Sequence, residues 1–142
     1  MIRVVCAIII KDDKVFICRR SANKSLAGYW EFPGGKVESG EKEKDSLTRE
    51  LMEELQMKVT VGSHFKTVIH DYENITIKLI SYKCVIQEAD FVMTDHDRFD
   101  WIEPKKLLEF NLAPADIPIA EELKKTVSTR DDFIKNSGGC EL

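Results

Sequence analysis

Three glutamates in the middle of the sequence have the spacing that would place them together on one face of a helix. The apolar periodicity predicts a helix over residues 44–55, on which Glu50, Glu53 and Glu54 share an arc. Like charges at this spacing repel each other, so we expect a positive charge to offset the repulsion, and a hard divalent cation is the leading candidate. Mg²⁺ and Mn²⁺ take oxygen ligands and bridge substrate phosphates. The apolar stripe of the same helix consists of Leu47, Leu51 and Leu55.

A glycine pair and a glutamate precede the predicted helix, and an arginine lies within it beside the first of the three glutamates. Gly34 and Gly35 follow a short extended segment, and glycine lets the backbone approach a ligand or metal that a Cβ would block. Glutamates alone could equally form the solvated acidic face of a surface helix. The added spacing of Glu41 and Arg49 favours a metal site over that alternative.

This spacing resembles the Nudix box of hydrolases that act on nucleoside-diphosphate linkages. Position 56 departs from the family pattern, because Gln56 stands where the family usually has a glycine. That glycine ends the helix in a left-handed conformation, which glutamine adopts less readily. We therefore expect any departure from the family at the end of the helix and not at the carboxylates. The matching positions are Gly35, Glu41, Arg49, Glu50, Glu53 and Glu54.

The resemblance implies a metal site and a catalytic base among the box glutamates. It makes Glu50, Glu53 and Glu54 the metal and base positions, with the backbone carbonyl of Gly34 as a further ligand. Glu50 and Glu53 are the leading pair, and which glutamate takes the proton stays open. Clustered carboxylates can hold metals that polarise a phosphoryl group and lower the pKa of bound water.

Two other box residues have alternative roles. Arg49 would orient the carboxylates, or it would form only a surface ion pair with Glu53 at i+4, which contributes little to stability. Glu41 would be an outer metal ligand, or merely an acid near the start of the helix that the helix dipole favours.

Further ligands are implied by the small MutT-type members of the family, which add one acidic residue from a loop facing the box. Asp95, Asp97 and Asp100 lie in the matching region, and Asp100, directly before Trp101, is the best-placed match. A solvated acidic loop is the alternative.

Two basic residues match phosphate-binding positions, or else are simple surface charges: Arg20 and Lys36.

A candidate base-recognition residue precedes the second predicted helix. Asp116 could cap that helix, or its carboxylate could accept a hydrogen bond from the exocyclic amine of cytosine. Residues 112–118 resemble the CTP pyrophosphohydrolase branch of the MutT-like enzymes, whereas MutT enzymes acting on oxidised guanine nucleotides carry Asn at the position of Asp116. Phe32 and Tyr72 could stack on a base or could be core aromatics.

The composition indicates one globular domain over residues 1–142, with residues 128–142 forming a polar tail that we expect to fray. A net charge of −4 without a basic run argues against polymeric nucleic acid as a partner. No segment is long enough to span a membrane, and a signal sequence is not recognised, so a cytoplasmic protein is expected. The oligomeric state, monomer or homodimer, is left open. Buried free thiols are predicted for Cys6, Cys18 and Cys84.

The order of predicted elements indicates an α/β (α+β) fold, which the resemblance makes specific as a mixed β-sheet sandwiched between helices. A hairpin turn is predicted at residues 11–14, a loop at 95–100, and an apolar stripe of Ile117, Ala120, Leu123 and Val127 in the last helix. The predicted strands cover residues 4–10, 15–18, 58–61, 65–72, 75–86 and 101–102, with a helical turn at 104–108.

Together these features predict a Mg²⁺-dependent (or Mn²⁺-dependent) hydrolase that converts a nucleoside triphosphate to a monophosphate and pyrophosphate. The preferred substrates are CTP, dCTP or a modified pyrimidine nucleotide. Sanitation of 8-oxo-dGTP is the alternative within the enzyme class. A Nudix-fold module that binds nucleotide without hydrolysing it is the alternative from another class, although such modules usually lose box carboxylates that this chain retains.

Overall fold

The computed structural model describes residues 1–136, and side chains as far as residue 126. Residues 1–136 form seven strands and two α-helices, with a 3₁₀ helix at Pro104–Glu109 and another at Pro114–Asp116. None of the helices in this described part is long and apolar enough to cross a membrane. The elements are β1 Ile2–Lys11, β2 Lys14–Arg20, β3 Trp30–Glu31, β4 Gly34–Lys36, α1 Glu43–Leu55, β5 Met57–Tyr72, β6 Ile75–Ala89, β7 His96–Ile102 and α2 Ile117–Asn136.

β1 is the central strand of the sheet. It runs parallel to β6, from the Ile2–Ile77 pair to the Ile9–Cys84 pair, and antiparallel to β2 and β4. β5 pairs with β6, and β7 pairs with β2, both antiparallel. The continuous apolar sequence of β1 is explained by this position, because both of its faces are covered. The predicted mixed sheet between helices is therefore confirmed.

Each face of the sheet packs against one helix. Successive side chains of a strand point to opposite faces, so β1 contributes alternately to two cores. The core on the α1 side includes Val5, Ala7, Ile9, Phe16, Leu47, Leu51 and Leu55. The core on the α2 side includes Cys6, Ile8, Ile17, Phe32, Ile119, Ala120 and Leu123.

The predicted hairpin and the predicted glutamate helix are both present. Asp12 and Asp13 connect β1 to β2 with φ angles of 53° and 64°, the left-handed pair that a two-residue hairpin turn of type I′ requires. α1 begins one residue before the predicted start and ends at Leu55 as predicted. Gln56 takes the left-handed conformation (φ 48°) that the family usually gives to glycine, and its N–H donates to the carbonyls of Leu51 and Met52.

Two predicted strands are one continuous strand in the structure. β5 extends from Met57 to Tyr72 and covers both residues 58–61 and 65–72. The register with β6 shifts at three places between Lys58 and Lys66, so bulges accommodate the polar residues of the intervening segment without ending the pairing.

The predicted loop at residues 95–100 is wrong over most of its length. Residues 96–100 belong to β7, which lies at an edge of the sheet and pairs with β2. Charged side chains are common on such edge strands, because they discourage pairing with other chains. The acidic sequence therefore reflects the edge position of this strand.

The predicted apolar stripe of α2 is partly wrong. Ala120 and Leu123 are buried, but Ile117 is 38% exposed, and Ile119, which was not part of the predicted stripe, is buried instead. The Val127 side chain lies outside the described residues. α2 continues to Asn136, into the region where we expected a frayed tail, and residues 137–142 lie outside the described part of the chain.

Candidate active site

A cavity of about 510 Å³ opens between the glycine pair, α1 and the start of β7. It brings together Gly34, Glu50 and Glu54, three of the five metal positions predicted from the sequence. It also contains the predicted phosphate contacts Arg20 and Lys36. Its other lining residues are Val4, Val5, Cys6, Lys24, Ser25, Leu26, Glu31, Phe32, Gly35, Glu38, Ile77, Leu79, Asp95, Ala113, Ala115 and Asp116.

The two glycines allow a close approach between β4, β1 and α1. A Cβ on Gly34 would overlap the backbone carbonyl of Val5 on the paired strand β1. A Cβ on Gly35 would overlap the carboxylate of Glu50. The absence of side chains at these positions therefore lets the Glu50 carboxylate lie directly on the strand that forms one wall of the cavity.

Arg49 connects the acidic residues at the entrance to this cavity. Its Nε donates to Glu41 Oε2 at 2.8 Å and its Nη2 to Glu41 Oε1 at 3.0 Å, a bidentate pair. Its Nη1 donates to Glu50 Oε1 at 3.0 Å and to Glu53 Oε2 at 3.1 Å. A further hydrogen bond from Nη2 reaches the carbonyl of Lys36 at 3.3 Å. The guanidinium therefore contacts three box glutamates and β4, which is the geometry that an orienting residue needs.

Arg49 lowers the pKa of its acidic partners, but burial outweighs this effect at Glu50. The hydrogen bonds from Arg49 lower the pKa of Glu41 to about 2, so Glu41 is ionised throughout the physiological range. Burial raises the pKa of Glu50, and the neighbouring Arg49 charge opposes this shift. The pKa of Arg49 itself is raised, first by its hydrogen bond to Glu41.

Glu54 is the most deeply placed of the box carboxyls. Burial, with the nearby charges of Glu50 and Asp95, raises its pKa to about 9. Its Oε2 atom is buried without a hydrogen-bond partner among the described residues. An acceptor in this state is strongly disfavoured unless a cation or a proton satisfies it.

These donor groups fit the divalent cation that the Nudix family implies. Glu50, Glu54 and Asp95 offer carboxylate oxygens around one cavity, and Gly34 lies beside them. Hard cations of the Mg²⁺ and Mn²⁺ type take oxygen ligands of this kind. A cation would satisfy the unpartnered Glu54 oxygen and relieve the repulsion between the carboxyls.

Asp100, the predicted added acidic ligand, is not among the residues that line this cavity. Phe99 and Trp101 pack on Phe16, in the core on the α1 side. Side chains alternate along a strand, so Asp100 points to the opposite face of β7 from α1. Asp95 lines the cavity instead and is the acidic residue close to Glu54.

Glu53, Glu41 and Arg49 lie at the edge of the site rather than among the residues that line it. The Glu53 side chain is 58% exposed and pairs with Arg49 at i+4. This contact is the ion pair that the sequence offered as the alternative role of Arg49, and it coexists with the contacts to Glu41 and Glu50.

Asp116 lines the cavity and is only 5% exposed. Burial raises its pKa well above the ordinary value, and the charge of Glu31 adds to the effect.

Phe32 also lines the cavity, although most of its surface is buried in the α2-side core. Tyr72 packs against that core, and its hydroxyl accepts a hydrogen bond from the Ala115 N–H at 3.3 Å. Tyr72 is therefore not among the residues that line the cavity.

Sequence reasoning missed Glu31, His96 and Lys24. Glu31 Oε2 lies 2.8 Å from Nε2 of the buried His96 and 3.2 Å from Arg20 Nη1. Lys24 Nζ lies 3.1 Å from Asp95 Oδ1. The only sequence signal for Glu31 is a charged residue within an otherwise apolar approach to the glycine pair.

Cys18, Glu31 and His96 also bring potential metal-ligating atoms within 4.8 Å of one another. This cluster is a poorer cation site than the box carboxyls. The guanidinium of Arg20 already binds both oxygens of Glu31, and burial raises the pKa of the Cys18 thiol, which disfavours the thiolate. Arg20 and His96 instead satisfy Glu31 with hydrogen bonds.

Comparison with known proteins shows the family. The sequence profile described as "NUDIX domain" matches residues 4–122, so the chain belongs to the Nudix hydrolase family. The CTP pyrophosphohydrolase of Escherichia coli K12 is 38% identical over 121 residues, which cover 85% of this chain and 90% of that protein. The 8-oxo-dGTP diphosphatase of Proteus vulgaris is 42% identical over 69 residues, 49% of this chain and 62% of that protein.

A solved structure agrees with this assignment. The solution structure of the E. coli ORF135 protein superposes with a TM-score of 0.79 and 36% identity, covering 92% of this chain and 93% of that one. The resemblance to the Nudix family and the mixed-sheet fold are therefore both confirmed.

Proposed function

We propose that this Nudix hydrolase is a Mg²⁺-dependent nucleoside triphosphate pyrophosphohydrolase that prefers CTP or dCTP. Mn²⁺ is the expected substitute for Mg²⁺. The observation that carries the proposal is the shared cavity, in which Gly34, Glu50 and Glu54 accompany the buried carboxyl of Asp116. One cavity thus offers oxygen ligands for a cation and a polar group for a nucleobase.

The chemistry required is the hydrolysis of a phosphoanhydride bond. Mg²⁺, when bound, would neutralise phosphate charge and lower the pKa of a coordinated water. Glu50, Glu54, Asp95 and the Gly34 carbonyl would hold the cation, with Glu53 joining from the edge of the site. Arg49 keeps the Glu50 carboxylate in place through a hydrogen bond of 3.0 Å.

The proton of the attacking water needs an acceptor close to the reacting phosphorus. Glu50 is the leading candidate, because its carboxylate lines the cavity and lies against Gly35. Glu53 is the second candidate. Arg20 and Lys36 line the same cavity and would bind the phosphate oxygens, Arg20 as a planar fork and Lys36 as a point charge. The products are a nucleoside monophosphate and pyrophosphate.

Selectivity for the base is assigned to Asp116. A carboxyl oxygen accepts from the exocyclic amine of cytosine. Because burial favours the protonated form of Asp116, the same group can also donate its O–H to a ring nitrogen. Phe32 would supply an apolar contact beside the base. Similarity to the CTP pyrophosphohydrolase of E. coli supports this preference.

A second candidate function is the hydrolysis of 8-oxo-dGTP. It is favoured by the similarity to the diphosphatase of P. vulgaris, although the aligned segment spans only about half of this chain. The binding-module alternative is disfavoured, because Glu41, Glu50, Glu53 and Glu54 are all retained and Glu50 and Glu54 line the cavity.

The test is a substrate panel with product analysis. The purified protein is assayed with CTP, dCTP, UTP, dGTP and 8-oxo-dGTP in Mg²⁺, with EDTA as the control. We expect CMP or dCMP and pyrophosphate, with the highest kcat/KM for the cytidine nucleotides and no turnover in EDTA. A higher kcat/KM for 8-oxo-dGTP would favour the second candidate. Absence of turnover with every nucleotide would favour the binding module.

A further inference from the structure

The loop that joins β2 to β3, residues 21–29, forms part of the cavity wall. Lys24, Ser25 and Leu26 all line the cavity. The loop is fixed at its start, where Ser21 donates to the Asp95 carbonyl from both N–H and Oγ, each at 3.1 Å. Arg20 holds its far side by donating from Nε to the Ser25 carbonyl at 2.6 Å. This attachment keeps Lys24 beside the acidic residues.

Lys24 forms an ion pair with a residue that we assign to the cation site. Its Nζ atom lies 3.1 Å from Asp95 Oδ1, and both side chains are about one-third exposed, at 39% and 34%. Although burial alone would raise the pKa of Asp95, the hydrogen bonds from Lys24 and Glu54 lower it overall. The Lys24 ammonium therefore occupies a position next to the carboxyls that would bind a cation.

An ammonium and a divalent cation cannot share one carboxylate oxygen without repulsion. When a cation takes Asp95, Lys24 loses its partner while it still faces the cavity. The unpaired ammonium would then be close to the phosphates of a nucleotide held by that cation. A flexible stem with three donors suits this change of partner, because Lys acts as a mobile point charge.

We propose that Lys24 exchanges its partner during the catalytic cycle. In the metal-free protein it neutralises Asp95, and in the loaded protein it binds a phosphate oxygen of the substrate. It is a positioning and phosphate-binding residue that the sequence motif does not contain. The proposed contact between Lys24 and a substrate phosphate rests on the proposed function, which identifies the phosphorylated ligand. The proposed competition between Lys24 and the metal for Asp95, the metal-competition half of the proposal, does not depend on that function.

The first experiment measures metal binding without nucleotide. Mn²⁺ is titrated into wild type, Lys24→Met and the control Lys124→Met, with free Mn²⁺ read by electron paramagnetic resonance. Lys124 is an exposed lysine of α2. Because Lys24→Met removes a competing charge from Asp95, we expect its Mn²⁺ affinity to rise roughly two- to fivefold, the range of a partly exposed ion pair. Lys124→Met should match wild type.

The second experiment measures the phosphate contact. Binding of CMP and of a CTP analogue with a methylene group between the α and β phosphorus atoms is measured in Mg²⁺ by calorimetry. Lys24→Met should weaken the analogue about tenfold, as expected for a charge-assisted hydrogen bond, and leave CMP nearly unchanged. Lys24→Arg should restore most of the loss. In turnover assays, KM for CTP should rise more than kcat falls.

Both changes together support the exchange. Unchanged Mn²⁺ affinity would show that the Lys24–Asp95 pair is only a surface contact, and would overturn the proposal. Tighter Mn²⁺ binding with unchanged analogue affinity would overturn it as well, since Lys24 would then only compete with the metal. If wild type turns over no nucleotide, the proposed function fails, whereas the Mn²⁺ titration still reports on the metal-competition half of the Lys24 proposal.

Discussion

The carboxylate of Glu50 lies directly against the Cα of Gly35, in space that any side chain at position 35 would fill. This contact joins the helix that carries the acidic residues to the strand that carries the glycines. The contact explains why position 35 needs a glycine. The φ angle of Gly35 is one that other residues can adopt, so the need comes from the lack of space for a Cβ and not from the backbone conformation. The close approach places Glu50 inside the cavity.

Gly35→Ala should therefore impair catalysis by displacing Glu50. We expect kcat to fall by about 100-fold or more, because misplacing a catalytic group by about 1 Å has effects of that size. Steady-state kinetics with CTP checks this, and thermal unfolding checks that the fold is kept. Gly62→Ala is the matched control, because its Cβ would meet only the Lys83 carbonyl, at 3.1 Å.

A double variant separates displacement of Glu50 from general disruption of β4. If Gly35→Ala acts through Glu50, adding it to Glu50→Gln should cost little further activity, since effects on one contact are non-additive. Fully multiplicative losses would contradict this explanation.

Glu54→Gln should stabilise the metal-free protein and weaken its stabilisation by Mg²⁺. The pKa of Glu54 is raised from an ordinary 4.5 to about 9, so the folded protein binds more protons than the unfolded chain between these values. Stability should then fall as pH rises through this window, and the fall should be smaller in the variant. Thermal unfolding at pH 6 and pH 9, in EDTA and in Mg²⁺, measures both effects. Equal pH dependence in the two proteins would contradict the assignment.

Glu53→Gln should reduce turnover without changing stability. The side chain is 58% exposed, so its loss leaves the core intact. If Glu53 joins the cation or takes the proton, kcat should fall by about 100-fold or more, the usual contribution of such groups. Turnover near that of wild type would remove Glu53 from the site and leave Glu50 as the base.

The local parts of this site were predictable from sequence, because they depend on residues close together in the chain. The spacing of Glu50, Glu53 and Glu54 determines their common arc once α1 forms, and the Leu47 to Leu55 stripe fixes which side of α1 is buried. The hairpin at Asp12 and Asp13 is equally local. These features follow from periodicity and turn chemistry alone.

The distant contacts were not predictable, because they depend on strand register. Asp95 reaches Glu54 since β7 pairs with β2, with an irregularity between Arg19 and Arg20 that aligns Arg20 with His96. Because residues 95–100 were predicted as a loop, the alternation of side chains along a strand, which directs Asp100 away from α1, was not considered. Sequence spacing cannot supply this register.

The proximity of Glu31 to Asp116, which adds to the raised pKa of Asp116, is a second distant relationship of this kind. Trp30 joins the two segments, since its N–H donates to the Asn111 carbonyl at 2.9 Å and its carbonyl accepts from the Ala113 N–H at 2.8 Å. These bonds place Asp116 beside the extended segment that precedes the glycine pair. Neither the motif nor the composition indicates this pairing.

Asp116→Asn tests whether this carboxyl reads the base. If it does, the ratio of kcat/KM for CTP to that for 8-oxo-dGTP should fall at least about tenfold, in the range expected for a lost base contact. Stability should be unchanged or slightly increased, because the variant removes an ionisable group that burial and Glu31 disfavour in its charged form. A lower melting temperature with an unchanged ranking of substrates would instead identify Asp116 as the cap of α2. Asp97→Asn is the matched control, because Asp97 is exposed on β7 and pairs with Arg19 outside the cavity.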